Sequence, residues 1–146
     1  MATGSNRGDR AEYLRRAKVL LTERIGPLRY ASAVVETAAW GRTEQADFMN
    51  QVLVLELGGA AGAALREGPV SPAVLHDLLD RTQAIERALG RTRELHWGPR
   101  TLDVDLIFLG DVRYEGERLS LPHPWWRQRA FVRDLLPPGW PTLAGT

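Results

Sequence analysis

Residues 97–110 read WGPRTLDVDLIFLG, and the two aspartates in that run, Asp103 and Asp105, decide how the chain is to be read. From Leu102 to Leu109 every other residue is apolar, including Val104, Leu106, Ile107 and Phe108. Such a run predicts a strand over 102–109 that is covered on both faces. Side chains alternate along a strand, so both carboxylates face one side, roughly 6 to 7 Å apart. Two carboxylates in so apolar a setting repel each other and lose hydration unless a cation lies between them. Carboxylate oxygens are hard ligands, which makes Mg²⁺ the expected ion. Arg100 adds a phosphate-binding guanidinium to the same edge. A solvated face neutralised by arginines is the bland alternative, and the apolar continuation from Leu106 argues against it. Metal and arginine beside one strand point to phosphoryl chemistry.

The rest of the chain sets bounds on that chemistry. Its 146 residues fit one domain with a substantial core, and 44% hydrophobic with 25% charged residues is ordinary for a soluble globular protein. A formal net charge of +1 gives no reason to expect a nucleic-acid or membrane partner. Cysteine is absent, no stretch is long and apolar enough for a membrane span, and no signal region opens the chain, so a cytoplasmic location is expected. Lys18 is the only lysine and does not follow a glycine, so a Walker-type phosphate loop is missing. A bound triphosphate would then be met by arginines and metal.

Periodicity supplies the elements. Asp9 with Glu12 resembles a capping box and opens a helix with Leu14, Ala17 and Leu21 on one side, stopped by Gly26-Pro27. Residues 28–37 and 48–57 read as strands, and 58–69 as a flexible Gly/Ala-rich connection with room for a helical turn through AALRE. Ser71 caps a second long helix with Pro72 at its first position and Leu75, Leu78, Thr82, Ile85 and Leu89 as its buried stripe. Gln83 and Glu86 lie at the edge of that stripe, facing a cleft margin. A polar loop over 91–96 precedes the aspartate strand, 111–121 returns as a hairpin arm, and a short helix follows near Trp126. Together these predict an α+β sandwich with helices on one sheet face and loops on the other.

Six segments carry a family resemblance, in order: GSNRGDR at 4–10, ETAAWG at 36–41, DFMNQV at 47–52, QAIERALGR at 83–91, WGPRTLDVDLIFLG at 97–110 and LSLPHPWWRQRAFV at 119–132. They span most of the chain, and it resembles the 6-hydroxymethyl-7,8-dihydropterin pyrophosphokinases of folate biosynthesis. The resemblance implies a ferredoxin-like fold with a mainly antiparallel sheet. It also implies transfer of diphosphate from ATP to the pterin's hydroxymethyl group, giving AMP with two Mg²⁺ ions. On this likeness residues 1–146 form one pyrophosphokinase domain with a short first strand and a truncated C-terminal tail. Ala38 and Ala39 stand where the family often has prolines, and Pro124 where it often has an aromatic residue.

The same resemblance distributes the site residues. Asp103 and Asp105 match magnesium ligands, with Asp103 also beside the pterin, and Arg91, Arg93 and Arg100 match phosphate-side catalytic positions. Gln83, Glu86, Leu106, Arg118, Ser120, His123, Arg127 and Arg129 match the nucleotide side. Phe48 and Phe131 match the aromatics that sandwich the pterin and Asn50 the amide that reads its edge. Thr37, Ala38 and Trp40 match the adjoining loop, and Trp97 the aromatic that closes over the ring. A monomer using only small-molecule substrates is expected. The rival reading is a homologue that binds nucleotide or pterin without turning it over. Two metal-binding aspartates favour the enzyme, because binding alone does not require them.

Overall fold

The computed structural model describes residues 1–38, 47–90 and 101–139. One antiparallel sheet organises them, with strands β1 (Ala2–Ser5), β2 (Leu28–Ala31), β3 (Val35–Thr37), β4 (Phe48–Leu55) and β5 (Asp103–Asp105). Its order is β2-β4-β1-β5, with β3 pairing the same edge of β4 as β2. Two long helices, α1 (Arg10–Arg24) and α3 (Pro72–Ala88), pack on one face, so the expected α+β class and antiparallel sheet are observed. The core lies between them, where Leu14, Ala17 and Leu21 of α1 meet Leu53, Val104 and Leu75, Leu78 and Ile85 of α3.

Both helices begin and end where local chemistry says they should. Asp9 Oδ1 accepts from the Glu12 backbone N–H (3.2 Å), while Glu12 turns to Arg15 rather than back to the cap. Pro72 opens α3, although the Ser71 side chain makes no capping bond. The predicted stripe Leu75, Leu78, Thr82, Ile85 and Leu89 is buried throughout.

Three expected elements differ. The predicted 28–37 strand is two strands. Four residue steps from Ala31 to Val35 oppose three from Leu53 to Asn50, which is a β-bulge. Ser32 stitches it: its N–H donates to Val52 O and its Oγ accepts from Val52 N–H (both 2.9 Å), while Gln51 Nε2 donates to Ser32 O. The 58–69 connection contains helix α2 (Gly59–Glu67). A Cβ at Gly62 would lie 2.1 Å from Leu57 O, so glycine here serves the helix's close approach rather than a loose loop. The third difference is the apolar run after Asp105, which has no strand pairing, with Leu106 and Ile107 buried and Phe108 and Leu109 half-buried. Ile107 and Phe108 instead join Ala2, Trp126 and Val132 in a second cluster, with Phe108 edge-on to Trp126 at 5.1 Å.

The 111–121 arm is the expected hairpin, β6 (Tyr114–Glu115) with β7 (Ser120–Leu121). The final helix, α4 (Ala130–Leu135), starts four residues after Trp126, which lies in the preceding turn. Tyr30 OH donates to Leu135 O (2.8 Å) and ties its far end to β2.

Candidate active site

Register explains which side chains meet. Directly opposed residues of an antiparallel pair share a face, and neighbours alternate. Gly4 opposes both Asn50 and Asp103, and Ala2 opposes both Val52 and Asp105. Val35 opposes Asn50, and Thr37 opposes Phe48. Thr37, Phe48, Asn50, Asp103 and Asp105 therefore lie on one face, opposite α1 and α3. The bulge is essential here, because without its extra residue Thr37 would point to the helix side. Asn50 Nδ2 donates to Thr37 Oγ1 (2.7 Å), which fixes the pair.

That face carries a cavity of about 230 Å³ lined by Thr37, Ala38, Phe48, Asn50, Asp103, Asp105, Arg129 and Phe131. Sequence reasoning missed Ala2, Thr3, Gly4, Gln128 and Ala130, which also line it. Gly4 forms the floor: a Cβ there would lie 3.0 Å from Asn50 Oδ1 and 3.3 Å from Phe48 Cδ1. The GSN segment was visible in the sequence, but the need for a bare backbone at Gly4 appears only once Asn50 lies opposite.

A second cavity, of about 310 Å³, is lined by Leu106, Arg118, Ser120, His123 and Trp125 among others. Asp105 lines this one as well as the first. Arg118 reaches it from the hairpin while pairing with Asp80 of α3 (2.5 Å). Gln83, Glu86 and Arg127 are not among the residues lining either cavity. Glu86 is only 3% exposed, not at a cleft margin, and its Oε2 accepts from Val104 N–H (2.9 Å) between the two aspartates. It thereby covers the edge strand β5 from the α3 side. The Arg127 guanidinium lies 4.8 Å over the Trp126 ring. Trp40, Arg91, Arg93, Trp97 and Arg100 fall outside the described residues.

Asp103 and Asp105 supply hard oxygen donors only, and Arg129 Nη1 donates to Asp105 Oδ2 at 2.8 Å. Among the described residues no group of three His, Cys, Asp or Glu is placed to hold a metal. Two carboxylates suit Mg²⁺, which keeps water and takes further oxygens from a bound phosphate.

His123 is set up as a neutral donor. Its Nδ1 accepts from Trp125 N–H (3.1 Å), leaving the proton on Nε2. Burial, and then the Arg129 charge, push its pKa down to about 4 against an opposing pull from Asp103. An unfolded histidine titrates near 6.5, so between about pH 6.5 and 4 the unfolded chain binds the extra proton. The contribution of neutral His123 to stability is complete above that window and is lost as pH falls through it. Thermal melts from pH 7 to 4 should show this slope in the ligand-free protein and not in His123→Gln. Parallel curves for the two proteins would contradict it.

A family profile described as 7,8-dihydro-6-hydroxymethylpterin-pyrophosphokinase matches residues 1–137. The 2-amino-4-hydroxy-6-hydroxymethyldihydropteridine pyrophosphokinase of Bacillus subtilis (strain 168) is 38% identical over 133 residues, covering 90% of this chain and 71% of its own. The enzyme of the same name from Methylorubrum extorquens is 37% identical over 133 residues, covering 90% and 75%. The Bifunctional protein FolKE of Lactococcus lactis subsp. cremoris is 36% identical over 133 residues, 90% of this chain but 34% of that longer protein.

Proposed function

The chain belongs to the 7,8-dihydro-6-hydroxymethylpterin-pyrophosphokinase family, and on that premise we propose how its two cavities carry out the reaction. The reaction transfers diphosphate from ATP to the hydroxymethyl group of 6-hydroxymethyl-7,8-dihydropterin. It yields AMP and the pterin diphosphate, a step of folate biosynthesis. We assign residues 1–146 to one pyrophosphokinase domain that works as a monomer in the cytoplasm. Among the described residues no helix is long and apolar enough to cross a membrane.

The observation that carries the reading is the shared wall: Asp105 lines both cavities, with Asp103 on the same face. The pterin takes the first cavity, where Phe48 and Phe131 offer apolar faces and Asn50 and Thr37 offer polar groups to a flat heterocycle. ATP takes the second, with Arg118 and Ser120 as polar contacts and His123 presenting its Nε2–H. Asp103 and Asp105 would hold two Mg²⁺ ions, which when bound polarise the phosphoryl oxygens and make the attacking alcohol more acidic. Arg129 adds positive charge beside the transferring group, and Arg91, Arg93 and Arg100 are assigned to its other oxygens. Trp40 and Trp97 are assigned to the pterin side and Gln83 and Arg127 to the surroundings of the nucleotide, while Glu86 holds β5 from the α3 side. The hairpin and the turn at His123 form part of the wall of the second cavity.

Purified protein given MgATP and the hydroxymethyl pterin should release AMP and pterin diphosphate in equal amounts, and chelation should stop it. Release of ADP, or no pterin-dependent AMP, would refute the reading. Selectivity gives a sharper check. Asn50 is 5% exposed, so Asn50→Ala leaves pterin groups unpaired at a loss of about 1 to 3 kcal/mol each. Calorimetry should show pterin affinity falling at least fivefold with ATP-analogue affinity nearly unchanged. Equal losses for both ligands would place Asn50 in the core instead of the site.

A further inference from the structure

Arg129 lines the first cavity and pairs with Asp105, the residue that lines both. Its ion pair with Asp105 is sheltered, the side chains being 18% and 26% exposed. Pairs of this kind are held more firmly than surface pairs, and removing one partner costs the other a charged neighbour. Arg129 is also the residue that leads into α4, and its neighbours Gln128, Ala130 and Phe131 line the first cavity. Its charge reaches the other side too, as the second cause after burial of the lowered His123 pKa. A divalent ion bound at Asp105 would lie beside the guanidinium held 2.8 Å from its Oδ2, and the two positive charges disfavour each other there.

From this geometry we propose that Arg129 is a built-in counter-ion of the metal site, holding Asp105 in place of a divalent cation until metal-bound polyphosphate arrives. The incoming complex offers a cation to Asp105 and phosphate oxygens to the guanidinium, so the exchange leaves no charge uncompensated. Metal offered alone provides only the first half of that exchange. The protein without nucleotide should therefore bind divalent ions weakly. Because α4 is fixed at its far end by Tyr30, movement of Arg129 is felt at Ala130 and Phe131, linking metal loading to the wall of the pterin cavity. The identity of the polyphosphate rests on the function proposed above, whereas the competition at Asp105 does not.

Mn²⁺ titration of the nucleotide-free protein, followed by the spin resonance of unbound ion, tests the competition directly. Arg129→Gln should bind Mn²⁺ about tenfold more tightly than the parent, as expected for removal of an adjacent like charge. The gain should vanish in Arg129→Gln combined with Asp105→Asn. Unchanged Mn²⁺ affinity in a variant with native circular dichroism would overturn the proposal. Should Arg129→Gln fail to fold, the parent protein still decides: the Arg129 side-chain N–H resonance should shift with Mg²⁺ plus tripolyphosphate and stay in place with Mg²⁺ alone. A resonance unmoved by both would also overturn it. Parallel assay of pterin-dependent AMP release keeps the two readings apart. An active protein without the Mn²⁺ gain refutes the counter-ion, and an inactive one with the gain refutes only the proposed function.

Discussion

Asp103→Asn and Asp105→Asn are each expected to lower turnover by roughly a thousandfold or more while the fold survives. Both carboxylates are partly exposed on the site face, and asparagine keeps their shape while losing the charge that a hard cation requires. The two variants should differ in one respect. Asp105→Asn also dissolves the pair with Arg129, so it should loosen α4 and alter the emission of Trp126, which packs in the same cluster as Val132. Steady-state AMP release at limiting Mg²⁺, alongside circular dichroism, measures both effects. A folded variant that keeps a tenth of the parent's rate would remove that aspartate from the metal site.

Glu86→Ala should give the second large effect, and it should appear in stability as well as turnover. The buried Glu86 carboxylate accepts from Val104 N–H, on the strand that carries both aspartates. Truncation leaves that N–H without its partner at a cost of about 1 to 3 kcal/mol, and β5 loses its tie to α3. Glu86→Gln retains an acceptor oxygen and should be milder. Chemical denaturation and kinetics on the same samples distinguish this from direct nucleotide contact. A weaker nucleotide affinity with an unchanged denaturation midpoint would make Glu86 a ligand residue rather than a tie.

Much of the fold was legible because its determinants are local. The helices at 10–24 and 72–88 follow from caps, breakers and a 3.6-residue period, all contained in a few turns of sequence. The apolar run after Asp105 reads as a covered strand, and the structure covers it in large part without making it a strand. Periodicity records that a segment is covered, and Ile107 and Phe108 are covered by Trp126 and Val132 rather than by a pairing strand. The 58–69 segment reads as a connection because it is Gly/Ala-rich, whereas its helix uses Gly62 for a close approach to Leu57 O.

The site divides along the same line. Alternation along a strand requires no partner, so the local run alone puts Asp103 and Asp105 on one face, and the motifs around it point to the family. What faces them depends on how distant segments pair. The bulge at Ser32 exists because Gln51 and Val52 bond to it from another strand, and it turns Thr37 towards Asn50. Gly4, 46 residues before Asn50, acquires its role as a floor only through their pairing. Glu86, which periodicity puts at a cleft margin, lies buried against Val104. Arg129 meets Asp105 across 24 residues. Each of these depends on the register of distant segments, which is fixed by packing and hydrogen bonding across the whole sheet and not by the order of neighbouring residues.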